Sequence, residues 1–199
     1  MISSPLVVIG IDLAGVEKRP TGMCLLRGNR AETFLAYTDD EILASIEQVT
    51  PRIVGIDAPL SLPRGRRTIH DRNDVHLRAC DRELLRHRIR FFPVTLGPMR
   101  TLTERGLRLK ARIEAFGISA VEIYPGGAQD LLDIPRKQQG LDALRAGLRR
   151  LGIRGLRAGM TDHELDAVTG AFVVSAYLRG EAAGWGDPAE GVIIMPLAR

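Results

Sequence analysis

Two short runs constrain this chain more than anything else in it. Residues 6–13 read LVVIGIDL and residues 52–57 read RIVGID. Each is a continuous apolar, β-branched stretch, the pattern of a strand buried on both faces. Each also carries an aspartate at its C-terminal end, Asp12 in the first and Asp57 in the second. If the two strands are parallel neighbours, both carboxylates stand at one sheet edge, where α/β proteins build their sites. Carboxylates held that close repel, so one takes a proton or a cation joins them. A divalent metal resolves the conflict, since Mg²⁺ is held by one or two carboxylates and keeps several waters.

The rest of the chain supplies a framework for such a pair. Gly15 and Pro20-Thr21-Gly22 mark a turn, and residues 23–27 and 32–37 read as strands around Gly28-Asn29-Arg30. Thr38, followed by Asp39, Asp40 and Glu41, opens a helix that Pro51 ends. Residues 60–116 then break the pattern. Helices are expected within 74–88 and over 100–116, and the segment reads as a basic helical insertion or lid in a single domain spanning 1–199. A strand at 119–124 closed by Pro125, helices at 139–151 and 161–179, and a final edge strand at 191–197 complete the reading. The fold class is α/β: a mixed sheet of the β-β-β-α-β-α-β-α type with helices on both faces.

The last long helix offers further site residues. Asp162 and Asp166 lie at i, i+4 and His163 and Asp166 at i, i+3, so either pair shares one helical face. Thr161 and Glu164 form a capping box, which assigns Glu164 to the helix end. Glu122 alternates with Val121 and Ile123, and points either into the site or to a partner arginine. Cys24 and Cys80 make no disulfide framework and no zinc spacing.

Charge is informative by region. The chain has 28 basic and 24 acidic residues, a net of +4, and 25 of the basic residues are arginine. Residues 64–112 hold 14 basic and five acidic residues, +9, leaving the remainder at −5. A basic segment on an acidic body points to an anionic partner, nucleic acid or a phosphorylated small molecule, with a coding bias toward arginine as the competing reading. Arg64, Arg66, Arg67, Arg72 and Arg82 are the expected phosphate contacts. Aromatic residues make up only 5%, too few for a dedicated single-strand binder that stacks bases. No stretch approaches the ~20 apolar residues of a membrane span. With no basic, apolar leader at the N-terminus, the expectation is a cytoplasmic protein without membrane contact. Monomer and homodimer both remain open.

The motifs IGIDLAG, GIDAPL, RACDRELLR, VEIYPG and HELDAVTGAF, in this order, resemble a predicted-nuclease family with an RNase H-like fold, known as domain-of-unknown-function family 429. The resemblance spans nearly the whole chain. His163-x-x-Asp166-Ala167 and Glu122-x-Tyr124-Pro125 are also similar to motifs of RuvC-type junction resolvases, although the long basic segment departs from them. The resemblance implies an RNase H-like core and an acidic site of Asp12, Asp57 and Asp166, with His163 or Glu122, binding Mg²⁺ or Mn²⁺. The leading reading is therefore a metal-dependent nuclease. An actin- or sugar-kinase-like phosphotransferase is the alternative, because IGIDLAG also resembles the first phosphate loop of those enzymes; its second adenosine-binding domain has no counterpart here. A third reading is a non-catalytic nucleic-acid-binding adaptor of the same fold.

Overall fold

The structure, a computed structural model, describes residues 6–197. Its centre is a seven-stranded mixed sheet of β1 (Val7–Asp12), β2 (Thr21–Arg27), β3 (Arg30–Ala36), β4 (Ile53–Ile56), β5 (Ser119–Ile123), β6 (Ala182–Asp187) and β7 (Gly191–Pro196). The strand order is β3-β2-β1-β4-β5-β7-β6. Strands β1, β4, β5 and β7 run parallel in the middle. Antiparallel β2 and β3 flank one side and antiparallel β6 the other. The helices are α1 (Asp39–Val49), α2 (Ala79–Arg86), α3 (Gly97–Ala115), α4 (Pro125–Leu131), α5 (Leu141–Arg150) and α6 (Asp162–Leu178). No helix among the described residues is long and apolar enough to cross a membrane.

Alternation along the strands feeds two cores. Ile9 and Ile11 of β1 pack with Ile42 and Ile46 of α1 and with Leu109 and Ile113 of α3. Val8, on the opposite face, joins Val168, Ala171 and Val174 of α6. A strand covered on both faces has no use for polar residues until its end, which is why β1 and β4 read as unbroken apolar runs. The helix after β3 starts at the expected place: Thr38 accepts from the Glu41 amide, and the Glu41 carboxylate returns the bond to the Thr38 amide.

Several expectations change. The helix expected within 74–88 is confined to Ala79–Arg86. Residues 71–75 stay irregular because the Arg66 guanidinium binds the carbonyls of Asp71, Asn73 and Val75, offering those acceptors an alternative to a helical ladder. Helix α3 begins at Gly97, with Pro98 in its first turn. Its Leu109 and Ile113 enter the core, so the second half of segment 60–116 is the crossover between β4 and β5. Pro125 does not merely close β5; it opens α4, where its fixed φ suits the first helical position. The glycine-rich residues 182–187 form the outer strand β6, so β7 is an inner strand rather than the edge. Alternation cannot reveal a strand whose sequence is AAGWGD.

Arg105 on α3 is almost fully buried and welds three segments together. Its Nε donates to Asp39 Oδ1, its Nη1 to the Ala14 carbonyl and its Nη2 to the Tyr37 carbonyl, each at 2.8 Å. These bonds fix the loop that follows Asp12.

Candidate active site

Register brings the first two carboxylates together. Ile11 of β1 lies opposite Ile56 of β4, and the Asp57 amide donates to the Ile11 carbonyl at 2.8 Å. Asp12 and Asp57 therefore leave adjacent parallel strands side by side, at the carboxyl-end edge.

Helix α6 brings the rest. It lies directly on the sheet because glycines give it room. A Cβ on Gly10 would run into the Ala167 carbonyl and the Ala171 amide, and one on Gly22 into the His163 carbonyl. The start of α6 is equally defined. Thr161 caps it, and buried Glu164 completes the capping box while also binding Thr33 Oγ1 at 2.8 Å and the Arg157 guanidinium. With Glu164 committed to that end, His163 and Asp166 are left on the face toward Asp12.

The resulting contacts are short and specific. His163 Nδ1 lies 2.6 Å from Asp12 Oδ2. Asp166 is buried; its Oδ1 accepts from Gln129 Nε2 at 2.8 Å, and its Oδ2 lies 2.8 Å from Lys137 Nζ. The same ammonium stands 3.4 Å from Asp162 Oδ2. Burial, and next the charges of Asp12 and Asp166, hold the Asp57 carboxyl well above the usual carboxylate range. Burial also raises Asp166, against the pull of Lys137. The hydrogen bond to Asp12 raises His163. Burial works against the charge on Lys137, yet Asp166, Asp12 and Asp162 together hold its pKa above that of a free lysine.

Glu122 has a different role. Its carboxylate faces the buried Arg78 guanidinium in a two-pronged pair of 2.7 and 2.8 Å and accepts from the Leu60 amide at 2.7 Å. Arg78 also holds Asp81, with Nη2 2.9 Å from Oδ1. This buried triad fastens the start of α2 to the end of β5. Of the two directions open to Glu122 in the sequence, the structure takes both: the carboxylate pairs with Arg78 and the residue lines the same cleft as Asp12 and Asp57.

The five expected phosphate contacts divide. Arg64 pairs with Asp187 at 2.7 Å, Arg66 organises its own loop, and Arg82 donates to the Leu77 carbonyl at 2.9 Å. Arg67 and Arg72 are exposed. Part of the +9 excess is thus internal, since Arg78 and Arg105 are buried against carboxylates.

Two residues of the site escaped sequence reasoning. Gln129 sits on α4, the helix hidden behind Pro125. Lys137 sits on a short 3₁₀ turn, Lys137–Gln139. A signal for Lys137 did exist: in a chain that otherwise prefers arginine, it is one of three lysines.

A cleft of about 300 Å³ opens over the carboxylates. Asp12, Asp57, Asp81, Glu122, Arg78 and Lys137 belong to its lining, as do the rings of Phe91, Phe92 and Tyr124. Phe92 is 68% exposed. Among the described residues, no three His, Cys, Asp or Glu side chains converge on one point to hold an ion. Four carboxylates of the described residues line the cleft: Asp81 and Glu122 are held by Arg78, and Asp12 and Asp57 are not. Asp12 keeps Oδ1 unengaged, and no hydrogen bond among the described residues reaches the Asp57 carboxylate. Two hard oxygen donors with room for water fit Mg²⁺ or Mn²⁺.

Comparison with known proteins agrees with this architecture. The solved structure of T. thermophilus RuvC in complex with Holliday junction substrate is 15% identical, covers 88% of this chain and 96% of its own, and superposes with a TM-score of 0.50. A further Thermus thermophilus RuvC structure is 14% identical over 96% of this chain and 100% of that one, also with a TM-score of 0.50. At such identities the likeness is one of fold, and the fold is the RNase H-like fold of RuvC. A search of curated proteins finds no match. The family model described as "Protein of unknown function (DUF429)" matches residues 10–191, from within β1 to the start of β7, and the chain belongs to that family.

Proposed function

We propose that this protein is a divalent-metal-dependent nuclease that hydrolyses phosphodiester bonds of nucleic acid at the Asp12–Asp57 edge. The observation that carries the reading is the placement of Asp12 and Asp57 side by side at the ends of adjacent parallel strands; burial first, and then the charges of Asp12 and Asp166, hold the Asp57 carboxyl well above its usual range. Asp12 and Asp57 at the cleft, with Asp166 close by, carry more negative charge than His163 and Lys137 offset, and a divalent cation neutralises the rest.

Asp12 and Asp57 are the residues that would hold the ion, which when bound supplies Lewis acidity and a more acidic water. Asp12 also orients the His163 ring through Nδ1, leaving Nε2 as the atom that exchanges a proton with water or with the departing oxygen. Asp166, fixed at both oxygens, supplies negative charge behind Asp57. Exposed Arg67 and Arg72 are available to the phosphate backbone, so binding should weaken steeply with salt. The wall of Phe91, Phe92 and Tyr124 suits a base swung out of its stack beside the scissile phosphate. The likeness to a RuvC solved with a Holliday junction supports a nucleic-acid substrate.

The test is Mn²⁺-dependent cleavage of a panel: single- and double-stranded DNA, RNA, an RNA–DNA hybrid and a four-way junction. Wild type and Asp12→Asn run side by side. The expected result is cleavage by wild type alone, with opened structures preferred over intact duplex. Cleavage that survives Asp12→Asn, or absence of cleavage throughout the panel, overturns the reading.

A further inference from the structure

We infer that Lys137 is a built-in cation of the acidic centre, occupying the position beside Asp166 so that the protein takes one divalent ion, at Asp12 and Asp57, rather than two. This rests on the metal-dependent reading above and specifies its stoichiometry.

The carboxylate oxygens of the centre differ in what already holds them. Asp166 has none free toward the cleft: Gln129 donates to Oδ1 and Lys137 Nζ sits 2.8 Å from Oδ2. Lys137 also reaches Asp162 at 3.4 Å, and its charge is favourable to Asp12 as well. Its ammonium therefore stands among several carboxylates at once. An ion seeking Asp166 would have to displace it and then tolerate its charge nearby. Asp57 and the free oxygen of Asp12 carry no such occupant.

The cavities agree. Asp12, Asp57 and Lys137 line the 300 Å³ cleft, whereas Asp57, Asp166 and Lys137 line a second, smaller hollow of about 120 Å³ that also receives Arg136 and Gln129. Asp57, Tyr124 and Lys137 are common to both, so the lysine stands where the two hollows meet. In the smaller hollow Arg136 and Lys137 stand beside a single open carboxylate, Asp57, because Asp166 is already held at both oxygens. The larger one also has two cationic side chains, Lys137 and Arg78, but Arg78 is taken up by Glu122 and Asp81, which leaves the Asp12 and Asp57 carboxylates open to it.

Lys137 is only half-buried and lies on a turn at the surface, so the chain tolerates its replacement. Lys137→Met keeps the aliphatic stem, and Lys137→Ala serves as the second variant. Isothermal titration with Mn²⁺, checked by the Mn²⁺ paramagnetic resonance signal, counts the ions bound per chain. Wild type is expected to bind one. Both variants are expected to bind a second and to bind the first about tenfold more tightly, the effect of removing one nearby positive charge from a partly screened site. Melting curves in EDTA give an independent reading: both variants should melt lower than wild type, because the carboxylates lose their counter-charge, and Mn²⁺ should restore them. Two ions on wild type, or the same count and affinity in all three proteins, overturn the assignment of Lys137 alone. No Mn²⁺ uptake by any of them overturns the metal-dependent reading and this inference with it.

Discussion

His163 Nδ1 stands 2.6 Å from Asp12 Oδ2, joining the end of the central strand to the first turn of α6 by a charge-assisted hydrogen bond. This bond raises the His163 pKa on folding. A group whose pKa rises on folding stabilises the protein fully below its unfolded value, near 6.5, and loses that contribution as pH climbs through the raised folded value. Metal-free protein should therefore melt progressively lower as pH rises above 6.5, and His163→Gln should flatten the slope. Thermal melts in EDTA between pH 5.5 and 9 test this; an unchanged slope in the variant would falsify the linkage.

Asp57 contributes to pH dependence in the same direction for another reason. Its carboxyl is raised by burial and by Asp12 and Asp166, so the folded chain binds a proton there that the unfolded chain releases. Stability falls as pH rises from the ordinary carboxylate range through the raised value. Asp57→Asn removes the charge and should raise the melting temperature in EDTA at pH 8 by ~2–4 °C, the shift that ~1 kcal/mol gives in a chain of this length. A lower melting temperature would show that the carboxylate serves the fold instead.

Asp12→Asn should separate function from folding. The strand and its neighbours remain, so the melting temperature in EDTA should stay close to that of wild type. Mn²⁺ affinity should fall by more than the ~10–100-fold typical of losing a residue that only supports a ligand. Titration calorimetry gives the affinity, and equal binding by both proteins would remove Asp12 from the centre.

Glu122→Gln should do the reverse. Replacing the carboxylate leaves the buried Arg78 short of one charge, which in a buried pair costs about 3 kcal/mol. A fall of ~6–12 °C in melting temperature follows, with Mn²⁺ binding by the folded protein unchanged. A loss of Mn²⁺ binding at unchanged stability would place Glu122 among the ligands.

Gly10→Val probes the seat of α6. The added side chain meets the backbone at Ala167 and Ala171, so the helix must lift or the fold must strain, at a cost of about 3 kcal/mol or more. Because the same movement carries His163 and Asp166 away from Asp12, Mn²⁺ affinity should fall together with stability. Retained affinity at wild-type stability would show that α6 does not need this approach.

The central strands and the two aspartates that end them were legible because a strand covered on both faces excludes polar residues until it reaches the edge. His163 and Asp166 followed from helical spacing and a capping box. What stayed hidden has equally local causes. Pro125 signals both the end of a strand and the start of a helix, so α4 and Gln129 were missed. Alternation carries nothing in a strand made largely of alanine and glycine, so the sequence does not disclose β6 and leaves β7 looking like the edge. The arginine count did not separate Arg78 and Arg105, buried against carboxylates, from exposed Arg67 and Arg72. Only tertiary contacts make that distinction.

The glycines under α6 separate two properties of the centre that usually change together. The spacing between sheet and helix is set by main-chain atoms at Gly10 and Gly22, and those atoms are the same whatever the side chains do. The charge of the centre is set by Asp12, Asp57, His163, Asp166 and Lys137, any of which can be exchanged without altering that spacing. Chains that keep both glycines while varying these five residues will preserve the same hollow at the same depth and fill it with different chemistry. Divergence of activity on this scaffold needs no remodelling of its frame.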